Sequence, residues 1–170
     1  IIKPLKKNSE FVAFVSDINL KDKLNTSEID ILQKSIDRFG VLVFRNQSLT
    51  DDEQVNFSEY FGKIEHSGKK SNITKDSDRR LSTKLADVSN IDKKSNVFKK
   101  NDPRRIFNLG NRLWHSDSSF KKIPAKYSLL SSKTIVKKGG NTEFSDMRLA
   151  YENLEDCLLY TSDAADEFSC

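Results

Sequence analysis

A histidine and an aspartate two residues apart are the side chains of this chain best suited to hold a metal ion. They lie in the sequence Trp114-His115-Ser116-Asp117. On an extended backbone, side chains at positions i and i+2 leave the same face, so an imidazole nitrogen and a carboxylate oxygen can reach one point. A second histidine would complete the two-histidine, one-carboxylate face that binds non-haem Fe(II) and leaves positions open for oxygen.

The residues alone leave alternatives to this interpretation. A His-x-Asp triplet is short enough to arise by chance, and a histidine at a strand end that is hydrogen-bonded to a nearby aspartate has the same spacing. A hydrolytic zinc site at His115 is a third alternative. Zinc catalysis uses three protein ligands, often with a histidine pair on a helix, and the other histidine, His66, forms no such pair.

Three segments around the triplet resemble one enzyme family. They are residues 114–120 (WHSDSSF), 124–130 (PAKYSLL) and 139–148 (GGNTEFSDMR). Together they resemble the Fe(II)- and 2-oxoglutarate-dependent taurine and 2,4-dichlorophenoxyacetate dioxygenases. Their sequences are more similar to the 2,4-dichlorophenoxyacetate branch. The resemblance runs from about Phe11 to Leu154 and is densest between Phe107 and Met147.

The resemblance implies roles for five residues. His115 and Asp117 would bind iron, Thr142 would donate its hydroxyl to a carboxylate of 2-oxoglutarate, and Asn111 and His66 would contact substrate. Each of the last three also has a plain structural interpretation. Thr142 is a β-branched residue of the kind strands favour, Asn111 can satisfy backbone groups, and His66 can be an exposed polar side chain.

The function implied by the resemblance is hydroxylation of a small carboxylate or sulfonate, coupled to decarboxylation of 2-oxoglutarate to succinate. Its cofactors would be Fe(II), 2-oxoglutarate and O2, with ascorbate supporting activity. The alternative is a non-catalytic jelly-roll binding module that keeps the motif by descent. Fold and motif do not identify the acid, because one fold hosts many functions.

Two groups that the family uses are missing from the 170 residues: a distal histidine ligand and an arginine that grips 2-oxoglutarate. Residues 1–156 are therefore expected to be the N-terminal part of a single dioxygenase domain, inactive by itself. Residues 157–170 resemble a translated sequencing adaptor, with a genuine acidic C-terminal tail as the alternative, and are excluded from fold reasoning. Without the three acidic residues of this tail, the net charge rises from +4 to +7.

The partner that the resemblance implies is a small anionic molecule, and composition argues against nucleic acid and a membrane; a homo-oligomer is possible. The lysine pairs are scattered without interleaved aromatic residues, whereas a nucleic-acid surface needs a clustered basic stripe. No run of 18 apolar residues occurs, so no membrane span is predicted. Both cysteines lie in the tail, Cys157 and Cys170, which fits a cytoplasmic enzyme.

Residues 11–62 contain clear sequence signals of strands and helices. Residues 11–15 predict a strand. A capping-box-like pair, Ser27 and Asp30, predicts the start of a helix that Gly40 ends, and residues 41–44 suit a buried strand. Thr50 with Glu53 predicts a second helix, ending at residue 62.

The elements predicted after residue 67 must position the His115-Ser116-Asp117 motif. Residues 67–80 suggest a mobile surface segment, and residues 85–90, 127–136 and 142–144 suggest strands. Phe107 is expected to lead into the strand of the motif, Trp114 to pack into the opposite layer, and Asp146 to cap a last helix. Short strands with helices at the front predict a mainly β fold with flanking helices. The resemblance implies a double-stranded β-helix, the cupin-like jelly roll, truncated on its C-terminal side.

Overall fold

The computed structural model describes residues 1–7, 9–65 and 74–158. The substrate role predicted for His66 therefore lies outside the described residues, as does the tail beyond residue 158. Of the segment predicted to be mobile, only residues 74–80 are described, and they include a single 3-10 turn, Asp76–Asp78.

A three-stranded sheet occupies the start of the chain. Its strands are β1 (Ile2–Pro4), β2 (Val12–Val15) and β3 (Val41–Phe44), in the order β1-β2-β3. β1 and β2 are antiparallel, whereas β2 and β3 are parallel. Alternate residues of β2 are buried, which is the period of two that one covered face produces. The predictions of β2 and β3 are confirmed, although β3 is half-buried and not buried, and β1 was not predicted.

Helix α1 (Thr26–Phe39) follows β2, and it begins one residue earlier than the predicted start at Ser27. The capping box uses Asn25 and Glu28. The Glu28 amide donates to Asn25 Oδ1 at 3.0 Å, and the Asn25 amide donates to Glu28 Oε2 at 2.8 Å. The Ser27–Asp30 prediction was wrong because an asparagine two residues upstream already satisfies the free amides of the first turn.

The end of α1 and the start of the next helix agree with the sequence, but that helix ends at Glu59, three residues before the predicted end at residue 62. The amides of residues 60–62 donate to carbonyls three residues back, which tightens the chain into a turn. Gly40 follows α1 with φ of 75°, the left-handed conformation that commonly ends a helix. Helix α2 (Asp51–Glu59) starts with the predicted capping box, in which Glu53 N donates to Thr50 Oγ1 at 3.2 Å and Thr50 N donates to Glu53 Oε2 at 2.7 Å. Its buried residues, Val55 and Phe57, face the core.

The chain divides into two compact units. The first comprises Ile1–Ser16, Lys34–Arg45 and Thr134–Cys170, and the second Asp17–Gln33 and Asn46–Lys133. The buried side chains of the first unit are Ala13, Val15 and Phe39. Those of the second unit are Leu20, Leu24, Leu32, Val55 and Phe57.

Three predicted strands are absent from the described part of the chain: residues 85–90, 127–136 and 142–144 have no strand conformation. Their apolar and β-branched residues satisfy the local pattern of a strand. A strand also needs a neighbour whose carbonyl and amide groups pair with its own. Near these segments the described residues form only an isolated bridge between Ile91 and Val97. The local pattern was therefore insufficient.

The approach to the motif is helical, so the prediction that Phe107 leads into a strand was wrong. Helix α3 (Pro103–Asn108) contains Phe107, and a 3-10 turn, Leu109–Arg112, follows it directly. Asp102 caps α3 by accepting a hydrogen bond from the Arg104 amide at 2.9 Å. Proline at the first helical position, with its restricted φ, favours this start.

Helix α4 (Met147–Glu152) confirms the last predicted element. Asp146 caps it by accepting hydrogen bonds from the amides of Arg148 and Leu149. Arg148 also donates to the carbonyls of Asp37 and Arg38, at 3.0 and 3.1 Å, and so satisfies the C-terminal end of α1. Among the described residues, no helix is both long and apolar enough to cross a membrane.

Candidate metal-binding site

The His-x-Asp motif begins immediately after the 3-10 turn Leu109–Arg112. Leu113 has φ of −88° and ψ of 146°, so the chain is extended as it enters the motif. Residues 114–116 have no regular structure, and a turn at residues 117–120 follows. The i, i+2 argument assumes an extended strand, whereas here the motif runs from the extended Leu113 into a turn that begins at Asp117 and belongs to no sheet.

The two predicted ligands face each other. His115 Nε2 lies 3.4 Å from Asp117 Oδ1. The other ring nitrogen, His115 Nδ1, lies 2.7 Å from the carbonyl oxygen of Leu113. Because a carbonyl oxygen only accepts, the hydrogen in this bond belongs to Nδ1, and the neutral ring then has its lone pair on Nε2.

The carboxylate is held in the same manner. Ser128 Oγ donates to Asp117 Oδ2 at 2.7 Å, which leaves Oδ1 directed toward His115. Each ligand thus has one polar atom in a hydrogen bond with the protein and a second atom facing the other ligand. Metal-binding histidines and carboxylates are commonly held by outer hydrogen bonds of this kind.

The distance between the two donor atoms fits a shared metal ion. Nitrogen and oxygen ligands of a divalent transition metal lie about 2.0–2.2 Å from it, so two ligands of one ion are at most about 4.3 Å apart. The observed separation of 3.4 Å is within this limit. In the described part of the chain, no group of three or more His, Cys, Asp or Glu side chains could hold a metal. Within that part, the candidate site therefore has two donors.

The site is open to solvent. The side chains of His115 and Asp117 are 48% and 60% exposed. Trp114, expected to pack into an opposite layer, is 70% exposed, so that prediction was wrong for the described part of the chain.

Glu65 contacts the turn that follows Asp117. Its Oε1 atom accepts a hydrogen bond from Ser118 Oγ at 3.0 Å and is ion-paired with Lys121 Nζ. The hydrogen bond from Lys121 lowers the pKa of the Glu65 carboxyl, against an opposing effect of partial burial. Neither Glu65 nor Ser128 was predicted as a site residue. Ser128 lies in the segment 124–130 that carries the family resemblance, whereas no signal in the local sequence marks Glu65.

The other two predicted site residues within the described part of the chain, Asn111 and Thr142, are exposed. Asn111 lies in the 3-10 turn that precedes the motif, in the same unit as His115 and Asp117. Thr142 belongs to the first unit, in a segment without regular structure that follows Gly139 and Gly140. Both glycines have positive φ, 78° and 71°, as expected for the predicted turn.

The two-histidine, one-carboxylate face of non-haem Fe(II) oxygenases contains a histidine and a carboxylate of the kind that His115 and Asp117 present. Residues 2–158 match the family described as "Taurine catabolism dioxygenase TauD, TfdA family", and the chain belongs to this family. The predicted family is thus confirmed.

The relatives include enzymes whose names state a dependence on alpha-ketoglutarate, which is 2-oxoglutarate. The chain is 39% identical over 145 residues to the alpha-ketoglutarate-dependent 2,4-dichlorophenoxyacetate dioxygenase of Cupriavidus pinatubonensis, covering 85% of this chain and 50% of the relative. It is 31% identical over 152 residues to the (S)-phenoxypropionate/alpha-ketoglutarate-dioxygenase of Sphingobium herbicidovorans, covering 89% and 47%.

A solved structure has a similar fold. The crystal structure of AAD-2 in complex with Mn(II) and N-oxalylglycine superposes with a TM-score of 0.84 and 44% identity, covering 92% of this chain and 53% of AAD-2. The chain spans about half the length of the curated relatives it matches.

Proposed function

We propose that the whole protein is an Fe(II)- and 2-oxoglutarate-dependent dioxygenase that hydroxylates a small organic acid. The observation that carries this proposal is the pair of donor atoms His115 Nε2 and Asp117 Oδ1, which face each other at 3.4 Å. Membership in the family supports it.

In this proposal the residues of the chain bind and orient the reacting groups. His115 and Asp117 each supply one ligand to the iron, and the Leu113 carbonyl and Ser128 hydroxyl hold those ligands in place. The Thr142 hydroxyl donates a hydrogen bond to a carboxylate of 2-oxoglutarate. When bound there, Fe(II) would let O2 oxidise 2-oxoglutarate to succinate and carbon dioxide and insert its second oxygen atom into a substrate C–H bond. The distal histidine and the arginine complete the site from elsewhere in the whole protein.

The proposal includes the jelly roll. The described residues supply a small sheet and helices, and the apolar side chains exposed in residues 113–154 would line inner faces of the roll. Similarity to AAD-2 over 92% of the chain supports this assignment. A closed double sheet would also supply the hydrogen-bonding neighbours that residues 127–136 and 142–144 need to become strands.

The substrate class that we propose is a small carboxylate or sulfonate, with an aryloxy acid as the first candidate. The names of the two curated relatives specify phenoxyacetate and phenoxypropionate substrates. A net charge of +4 is consistent with an anionic substrate, because a positive field raises the local concentration of anions.

The decisive experiment measures succinate formed from 2-oxoglutarate by the purified whole protein supplied with Fe(II), ascorbate and a set of aryloxy acids. His115→Ala and Asp117→Ala are each expected to reduce turnover to background, because each removes a metal ligand. Asp22→Ala, which removes an exposed carboxylate of the same unit, is the control and should retain activity. Wild-type protein that binds 2-oxoglutarate without turnover would instead indicate the non-catalytic binding module.

Thr142 is tested separately from the metal ligands. Thr142→Val keeps the shape of the side chain and removes the hydroxyl, so KM for 2-oxoglutarate should rise while substrate preference is unchanged. A hydrogen bond to a charged group contributes about 1.5–3 kcal/mol, which corresponds to roughly ten- to hundredfold in KM. Thr134→Val, at another exposed threonine of the same unit, is the matched control. An unchanged KM in Thr142→Val would contradict the assignment.

A further inference from the structure

We propose that Ser128 and Glu65 are positioning residues that hold the Asp117 carboxylate against His115. Ser128 binds the carboxylate itself, and Glu65 holds the turn that follows it. Neither residue would touch the metal. The proposal rests on the proposed function, because it concerns how the ligand pair is presented to a metal ion.

Ser128 selects one orientation of the Asp117 side chain. An aspartate that is 60% exposed can occupy several rotamers, and most of them direct its carboxylate away from His115. The Ser128 hydroxyl donates to Oδ2 at 2.7 Å, a short distance typical of a hydrogen bond to a charged acceptor. The same contact leaves Oδ1 at 3.4 Å from His115 Nε2.

The position of Ser128 is itself determined by packing. The neighbouring residue, Tyr127, makes an edge-to-face contact with Phe61, with ring centroids 5.9 Å apart. Phe61 in turn makes an edge-to-face contact at 5.3 Å with Phe57, a buried residue of α2. A chain of aromatic contacts therefore connects the segment that carries the Ser128 hydroxyl to a buried side chain.

Glu65 holds the backbone on the other side of Asp117. Ser118 has φ of 56°, a left-handed conformation that residues other than glycine adopt rarely. The turn is closed by a hydrogen bond from the Lys121 amide to the Ser118 carbonyl at 3.0 Å. Glu65 accepts from the Ser118 hydroxyl and pairs with the Lys121 ammonium, so it joins both ends of this turn. Loss of these contacts would free the backbone that carries Asp117.

Metal affinity gives a direct readout that does not require turnover. Changing an outer hydrogen-bonding partner of a metal ligand typically weakens metal binding 10- to 100-fold. Mn(II) is a suitable probe because AAD-2 was crystallised with it. Free Mn(II) is measured by electron paramagnetic resonance during titration of the metal-free whole protein. Fluorescence of Trp114, adjacent to His115, gives an independent signal near the site.

The Ser128 test compares Ser128→Ala, Ser128→Thr and Ser132→Ala with the wild type. Ser128→Ala should weaken Mn(II) binding about tenfold. Ser128→Thr retains a hydroxyl and should restore affinity to nearly the wild-type value. Ser132 is exposed in the same segment, and no hydrogen bond joins it to Asp117 among the described residues, so Ser132→Ala should bind normally.

The Glu65 test uses a matched pair of ion-paired glutamates. Glu65→Gln removes the charge that pairs with Lys121 and should weaken Mn(II) binding toward the lower end of the same range. Glu59→Gln is the control, because Glu59 pairs with Lys84 at 3.2 Å elsewhere in the same unit and should bind Mn(II) normally.

The outcomes separate this proposal from the proposed function. Wild-type affinity in Ser128→Ala and Glu65→Gln, or equal losses in these variants and their controls, would overturn the positioning role while leaving the metal site intact. Wild-type protein that binds Mn(II) no better than His115→Ala would overturn the metal site, and the positioning role with it. Circular dichroism of each variant establishes that it is folded, and Ser128→Thr keeps the test informative if Ser128→Ala is not.

Discussion

Two regions of the chain differ sharply in how their apolar side chains are placed. The front region, residues 9–62, contains every buried hydrophobic residue of the described part, from Ala13 to Phe57. The site region, residues 109–158, contains the metal-ligand candidates and Thr142, and none of its residues is buried. The region that contains the candidate metal ligands is therefore not the region that contains the buried hydrophobic residues.

The site region is not short of apolar side chains. Its large exposed ones are Leu109, Leu113, Trp114, Phe120, Ile123, Leu129, Leu130, Ile135, Val136, Phe144, Met147, Leu149, Tyr151, Leu154 and Leu158. Exposed apolar side chains in this number are typical of segments that contact another part of a protein. In the proposed jelly roll, the remainder of the whole protein would cover it.

Polar contacts supply much of the order that the site region has. Ser128 binds Asp117, Lys133 donates to the Leu49 carbonyl at 2.7 Å and pairs with Asp51 at 3.1 Å, and Arg148 donates to carbonyls at the end of α1. Exposed hydrogen bonds and ion pairs each contribute little to stability. The comparison thus predicts that the free energy of unfolding of this chain resides in the front region.

The largest effect should come from emptying the core of the front region. Leu32 is fully buried, so Leu32→Ala should lower the free energy of unfolding by about 2–5 kcal/mol. Leu130, 67% exposed in the site region, is the matched leucine. Leu130→Ala should change the free energy of unfolding by less than about 0.5 kcal/mol. Urea denaturation of the 170-residue chain measures both. Equal losses would mean that the site region has a core of its own, contrary to the comparison.

A smaller effect is expected at Gly40, where α4 of the site region meets the end of α1. An alanine Cβ there would lie 3.0 Å from Arg148 Nη2 and 3.2 Å from Phe11 Cε2, and φ is already 75°. The left-handed conformation alone costs a non-glycine residue roughly 1–2 kcal/mol. Gly40→Ala should therefore lower the thermal midpoint clearly. Gly110→Ala, with no atom within 4 Å of the added Cβ, should leave it nearly unchanged.

The smallest effect concerns an exposed ion pair of the front region. The hydrogen bond and charge of Arg38 hold the pKa of Glu10 below its ordinary value of 4.5. A lowered folded-state pKa stabilises the folded chain above the unfolded pKa, and this contribution is lost as the pH falls through the folded pKa. The stability difference between wild type and Glu10→Gln should thus shrink from pH 6 toward pH 3. It should also shrink in about 1 M salt. A difference that is constant with pH would contradict the assignment.

The sequence alone determined the features that depend on residues within one turn of each other. The Thr50–Glu53 capping box, the Gly40 helix end and the Asp146 cap were predicted and are confirmed. The facing of His115 and Asp117 is also local, because a single residue separates them in the chain. The family was identified from motifs that are contiguous in the sequence, and it too is confirmed.

Only the tertiary structure decided the features that join distant residues. Ser128 is 11 residues from Asp117, and Glu65 is 53 residues from Ser118, so no local pattern could associate them. The predicted strands at residues 127–136 and 142–144 failed for the same reason. A capping side chain hydrogen-bonds to backbone amides within the next few residues. A strand, or a residue that positions a metal ligand, needs a partner that only the folded chain brings close to it.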